Sequence, residues 1–125
     1  MATILIIEDD EVLARMYATR LESEGHAVVT TRDGLQGIAK AKEIRPDVVL
    51  LDLMLPGITG QQVLAELRKP DGLTATPIIV LSNLANPSEE TEAIAKGATR
   101  YLVKTRVTPS QVLETIVNLL VPAHS

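Results

Sequence analysis

A chain of 125 residues is one domain by length, able to bury roughly two-thirds of the surface its unfolded form exposes, so it folds without a metal or disulfide staple. With 46% hydrophobic and 22% charged residues it falls outside the disordered and fibrous classes, and the absence of cysteine excludes disulfide scaffolds, cysteine-ligated zinc and thiol catalysis. A net charge of −4 and only two aromatic residues, Tyr17 and Tyr101, leave neither a basic stripe nor a stacking platform, so direct nucleic-acid binding is not expected.

The opening residues Met1 to Ile4 carry no basic region or long apolar run, and no apolar stretch nears the roughly 18 residues of a membrane span. A cytoplasmic location is expected. Ile4-Leu5-Ile6-Ile7 reads as the first strand, ending in Glu8-Asp9-Asp10. Val12, Leu13, Met16, Tyr17 and Leu21 then recur at helical spacing until Gly25, a left-handed stop. Ala27 to Thr31 is β-branched and reads as the second strand. After Asp33-Gly34, residues Leu35, Ile38, Ala39 and Ile44 form the apolar face expected for a second helix, which Arg45-Pro46 ends.

Val48 to Leu51 are four consecutive branched apolar residues, which fit a strand buried on both faces, and the strand ends at Asp52. A turn over Leu53 to Gly57 follows. Thr59-Gly60-Gln61-Gln62 has the form of a capping box, with Val63, Leu64 and Leu67 as the buried stripe of the third helix and Pro70-Asp71-Gly72 as its break. Ile78 to Leu81 is the fourth strand, ending at Ser82. Asn86-Pro87-Ser88-Glu89 combines an N-cap, an N1 proline and a reciprocal N3 glutamate before a fourth helix that stops at Gly97. Ile94 is the only large residue on that helix's apolar face, so weak anchoring is expected there. Tyr101 to Val103 is the last strand, ending at Lys104. Thr108-Pro109-Ser110-Gln111 repeats the cap, and Val112, Leu113, Ile116, Val117 and Leu120 form the stripe of the fifth helix.

Strict strand–helix alternation calls for a doubly wound (βα)5 α/β fold, a five-stranded parallel sheet with helices on both faces. A flavodoxin-like order 2-1-3-4-5 sets strands one and three side by side at the switch point, where ligands collect. The expected division is a domain over 1–121 and a tail over 122–125.

Taken singly, Asp9 or Asp10 caps a helix, Asp52 caps a turn, Ser82 bonds a neighbouring backbone and Lys104 is a solvated charge. Their coincidence argues otherwise, because four of five strands deliver a polar group to one sheet edge. Two carboxylates about 4 Å apart repel by roughly 4 kcal/mol at an effective dielectric near 20, so Glu8, Asp9 and Asp52 need a cation between them. Lys104 offsets part of that repulsion, and a hard divalent cation such as Mg²⁺, with oxygen-only ligation, suits the rest. Asp52 is then placed to attack a phosphoryl group as a carboxylate nucleophile, with Ser82 and Lys104 bonding phosphoryl oxygens. No glycine-rich loop follows the first strand, so nucleotide binding is disfavoured.

The runs Ile4 to Asp10, Leu51 to Gly57 and Tyr101 to Lys104, in that order, resemble the receiver domain of two-component response regulators, of the chemotaxis-receiver type, over essentially the whole chain. The resemblance implies Asp52 as phosphoacceptor, Glu8 and Asp9 as the acidic pair for Mg²⁺, and Met54 as the donor of a metal-facing backbone carbonyl. It implies Ser82 as the hydroxyl switch residue, Tyr101 as the switch aromatic, Lys104 as the basic residue of the site, and Asp10 as a helix cap. Such domains take their phosphoryl group from a histidine kinase or histidine phosphotransfer protein. They catalyse that transfer and a slow autodephosphorylation themselves, yet act primarily as switches.

The implied output is the surface of helix four, strand five and helix five, toward an effector or, on phosphorylation, a second copy. His26 and His124 read as surface residues, so the phosphodonor is expected to be another molecule. The sequence departs from the family pattern at Thr105, where a proline usually follows the lysine, and at Asn83, where a very small residue is usual. A cis bond before a non-proline residue costs about 2.5–4 kcal/mol, which favours a trans Lys104–Thr105 bond. Met54 and Leu84, two residues after Asp52 and Ser82, offer nothing to orient a hydrolytic water, so a long-lived acyl phosphate is expected. The competing readings are a phosphorylation-independent interaction module and, more remotely, a small flavodoxin-like enzyme or cofactor binder.

Overall fold

The structure, a computed structural model, describes residues 1–83 and 86–120. The expectations placed on Leu84, on a boundary at residue 121 and on the tail with His124 therefore lie outside the described residues. The chain alternates β1 (Thr3–Ile7), α1 (Glu11–Ser23), β2 (Ala27–Thr31), α2 (Gly34–Ile44), β3 (Val48–Asp52), α3 (Gly60–Leu67), β4 (Ile78–Ser82), α4 (Pro87–Ala95), β5 (Arg100–Val103) and α5 (Pro109–Leu120). A 3₁₀ turn over Lys104–Arg106 joins β5 to α5. The strands form one parallel sheet in the order β2-β1-β3-β4-β5, as alternation of the elements requires.

Alternation along the strands divides the core in two. Leu5, Ile7, Val49, Leu51, Ile78 and Val80 point to the side of α2, α3 and α4, where Tyr101 packs. Ile4, Ile6, Val48, Leu50, Ile79 and Leu81 point to the side of α1 and α5, where Leu102 packs. Every residue of β3 and β4 is buried, which explains their unbroken apolar runs.

Local signals place the ends of the elements. Asp10 caps α1 by accepting from the Val12 and Leu13 amides. Thr59 and Gln62 close a reciprocal capping box on α3, and Thr108 and Gln111 do the same on α5. Asn86 caps α4 by accepting from Ser88 and Glu89, but the expected return bond from the Glu89 side chain is absent among the described residues. Gly25 and Gly97 take φ values of 92° and 108° at the expected helix stops.

Three helix faces differ from their sequence pattern, the first being α1, where Val12, read as part of the apolar stripe, is 81% exposed while Ala14 is buried. On α2 the buried residues are Gly34, Gly37 and Ala41, whereas Leu35 is 68% exposed and Ala39 also faces outward. Close approach is the cause, since a Cβ on Gly37 would lie 2.6 Å from the Ile7 side chain. On α4 only Ala93 is buried, and Ile94, expected to anchor the helix, is 46% exposed.

Candidate functional site

Strand alternation carries three charged residues to one side of the sheet. Glu8 continues the Ile4–Ile6 side of β1, Asp52 the Val48–Leu50 side of β3, and Lys104 the Leu102 side of β5. Ser82 continues the Ile78–Val80 side of β4, which is also the side of Tyr101, and Val80 pairs directly with Tyr101. The two sets come from opposite faces, so only the carboxyl edge of the sheet makes both available to one ligand.

At that edge Lys104 Nζ donates to Asp52 Oδ2 at 3.0 Å and to Glu8 Oε1 at 3.1 Å. Asp52 Oδ1 accepts from the Met54 amide at 2.9 Å, so both carboxylate oxygens are held by fixed donors. Glu8 Oε2 accepts from the Asp10 amide at 3.3 Å, while the Asp10 side chain is committed to its helix. Glu8 and Asp52 are each 3% exposed, and Asp9 lies at the surface. Oxygens of Glu8, Asp9 and Asp52 lie within 4.8 Å of one another. An oxygen-only set with three carboxylates against one ammonium has the donor chemistry and the charge deficit that a hard divalent cation fits.

Burial pushes the Glu8 carboxyl up to about 8, helped by its hydrogen bond to Asp52 and by that residue's negative charge. For Lys104, burial opposes the charged form, but its bonds and charge interactions with Asp52 and Glu8 outweigh that effect and raise its pKa above the ordinary lysine value. Without a divalent cation, Glu8 thus holds its proton at neutral pH.

A carboxyl whose pKa is higher folded than unfolded binds its proton more tightly in the folded state. Its contribution to stability is complete below about 4.5 and is lost as pH rises through about 8. The metal-free protein is therefore expected to melt at a lower temperature at pH 8.5 than at pH 5. Glu8→Gln should flatten this slope in thermal melts recorded with a chelator. An equal slope in the variant would show that another group is responsible.

Ser82 is 1% exposed at the end of β4, and Tyr101 is half-buried beside β4. Asn83, where a very small residue is usual in the family, is exposed immediately after β4. No peptide bond among the described residues is cis, and Lys104–Thr105 is accordingly trans and opens a 3₁₀ turn. Met54 brings its amide to Asp52 while its side chain points to solvent. Tyr17 was legible only as part of an apolar stripe. It is buried on the same side as the charged set, and its raised pKa, due first to burial, also registers the charges of Lys104, Glu8 and Asp52.

These features place the chain among doubly wound α/β domains that carry their charged groups at strand ends rather than in a phosphate-binding loop. More narrowly, it belongs to the response regulator receiver domain family, whose model matches residues 4–117. It is 30% identical over 118 residues to the polar-differentiation response regulator DivK of Brucella anthropi, covering 94% of this chain and 95% of that one. A solved structure of the chemotaxis response regulator CheY4 of Vibrio cholerae aligns with a TM-score of 0.87 and 32% identity, over 96% of this chain and 99% of that one. The Mn²⁺-bound form of response regulator Rcp1 aligns with a TM-score of 0.80 and 28% identity, over 95% and 91%. Several other curated relatives bear the names of transcriptional regulators, and the chain spans 43% to 45% of their length. The chain is a two-component receiver domain, and the comparisons do not favour a phosphorylation-independent module. Among the described residues no helix is long and apolar enough to cross a membrane.

Proposed function

We propose that this receiver accepts a phosphoryl group on Asp52 from a phosphohistidine of a partner kinase or phosphotransfer protein. The observation that carries this reading is the Lys104 bridge between Asp52 and Glu8 at 3.0 and 3.1 Å, inside a three-carboxylate cluster at the sheet's carboxyl edge. An Asp52 carboxylate oxygen forms a bond to phosphorus as the bond from phosphorus to the donor imidazole nitrogen breaks, and that nitrogen keeps the electron pair. The Met54 amide and Lys104 hold the carboxylate's orientation before the attack, which is an entropic advantage. Lys104 then shifts part of its bonding from Asp52 to a phosphoryl oxygen, and the Ser82 hydroxyl donates to another. Glu8, Asp9, Asp52 and the Met54 carbonyl would hold Mg²⁺, which neutralises charge on the phosphoryl oxygens.

The donor is another molecule. His26 begins the opposite, amino edge of the sheet, where its Nδ1 accepts from the Ala2 amide at 3.2 Å. Output runs through Ser82 and Tyr101, which share a sheet face, to the surface of α4, β5 and α5 and so to an effector or a second copy. A cytoplasmic location accompanies this reading.

Incubation with a small-molecule phosphodonor and Mg²⁺ is expected to add one phosphoryl mass, located on Asp52 by fragmentation, and a chelator should prevent it. The acyl phosphate should persist for minutes or longer at neutral pH, because the exposed Met54 side chain has no group to orient a water. A lifetime of seconds would remove that part of the reading, and no mass gain on folded protein would remove the whole.

A further inference from the structure

The buried core on the α1 and α5 side of the sheet is aliphatic except for Tyr17, which is 3% exposed. Leucine or phenylalanine would fill this space without a hydroxyl, and a buried hydroxyl is costly unless it lies among polar groups. Among the described residues, the buried polar side chains on this side are Glu8 and Asp52, the two carboxylates that Lys104 bridges. Thr31 and Ser82, the other two buried polar residues, continue the opposite face.

The course of α1 brings the Tyr17 hydroxyl to the bridged pair. α1 starts at Glu11, directly after Glu8 to Asp10, and runs back from the carboxyl edge, which sets the Tyr17 backbone about 9 Å below the start of the helix. Aromatic side chains on a helix lean toward its N-terminus, so the ring rises toward the edge. The electrostatics agree with this placement. Burial pushes the Tyr17 pKa up, and of the charges acting on the hydroxyl Lys104 is the strongest, ahead of Glu8 and Asp52.

Lys104 benefits from such a neighbour. Its stem leaves β5 and passes the end of β4 to reach Asp52 on β3 and Glu8 on β1. Two of its three ammonium N–H groups are committed to those carboxylates, and a long stem gives up rotamer freedom to hold them. A stiff ring on the same side restricts that freedom beforehand, and a hydroxyl oxygen offers the remaining N–H a neutral acceptor.

We propose that Tyr17 is a positioning residue for Lys104, its hydroxyl oxygen drawing the third ammonium N–H so that the cation stays seated between Glu8 and Asp52. Tyr17 touches neither the phosphoryl group nor the metal and acts through the lysine. Its effect on phosphoryl transfer rests on the phosphoacceptor reading, whereas its hold on Lys104 does not.

Tyr17→Phe keeps the ring and removes the hydroxyl. Calorimetric titration with Mg²⁺ alone should show roughly two- to fourfold tighter binding in this variant, because a loosened ammonium competes less for the carboxylates' charge. With acetyl phosphate as donor and Mg²⁺ present, the rate of phosphoryl mass gain should fall roughly five- to tenfold. The gain in Mg²⁺ affinity should vanish when Tyr17→Phe is made in Lys104→Met, since the group through which the hydroxyl acts is gone. Tyr17→Leu, which removes ring and hydroxyl together, should tighten Mg²⁺ binding at least as much, and thermal melts show that each variant is folded.

Unchanged or weaker Mg²⁺ binding in Tyr17→Phe, or a change of equal size with and without Lys104, would make Tyr17 an ordinary core residue and overturn the proposal. Tighter Mg²⁺ binding in the variant, in a protein whose parent gains no phosphoryl mass, would leave the positioning role standing and refute phosphoacceptance instead.

Discussion

Asp52→Asn is expected to abolish phosphoryl uptake, a loss of more than about a thousandfold, in a protein that stays folded. Asparagine matches the shape of aspartate, and its carbonyl can still accept the Met54 amide bond that fixes the turn after β3. Its amide nitrogen is no nucleophile. The Lys104 bond at 3.0 Å weakens, but Lys104 retains Glu8 at 3.1 Å, so no buried charge is left alone and the usual cost of breaking a buried pair does not arise. Removing one of three crowded carboxylates also relieves repulsion on Glu8, whose pKa should fall from about 8 toward the ordinary range. Net stability should therefore change by no more than about 1–2 kcal/mol. Intact-mass measurement after exposure to a phosphodonor, paired with a thermal melt, checks both halves. Undiminished uptake at another residue would sink the assignment of Asp52.

How much of this was legible beforehand depended on the kind of information each feature needs. The strands were legible because runs such as Val48 to Leu51 and Ile78 to Leu81 are buried on both faces and admit no polar interruption. Strand order followed from strict alternation and the handedness of crossovers, and the position of Glu8, Asp52, Ser82 and Lys104 at the carboxyl edge followed from their place at the ends of the strand patterns. The helix faces were less legible because large apolar residues were assumed to face inward. On α2 the sheet is approached so closely that glycine and alanine occupy the inner face and Leu35 is pushed out. On α4 the same assumption misplaced Ile94.

The protonation of Glu8 and the bridging geometry of Lys104 depend on distances between strands one, three and five, which no local pattern encodes. Arg68 shows the limit most clearly. Its three carbonyl partners, Leu73, Thr76 and Gly97, belong to a loop and to a different helix end, and no local pattern around Arg68 announces them.

Lys104→Met should move two observables in opposite directions. The ammonium and a divalent cation compete for the same negative charge, since Lys104 already bonds two of the three clustered carboxylates. Methionine fills similar volume without the charge, so Mg²⁺ should bind roughly tenfold more tightly, the size expected when a cation a few ångströms away is removed at an effective dielectric near 20 and partly screened. Phosphoryl uptake should nonetheless slow by about 10²–10³-fold, because the transferring group loses a positioned donor for its oxygens. Without Mg²⁺ the variant should be destabilised most above pH 8, where Glu8 would otherwise ionise beside an unneutralised Asp52, and least at pH 5. A general loosening of the site would weaken metal binding and transfer together. Calorimetric titration with Mg²⁺ alongside time-resolved mass spectrometry separates the cases, and weaker Mg²⁺ binding in the variant would show that Lys104 shapes the cluster rather than competing for its charge.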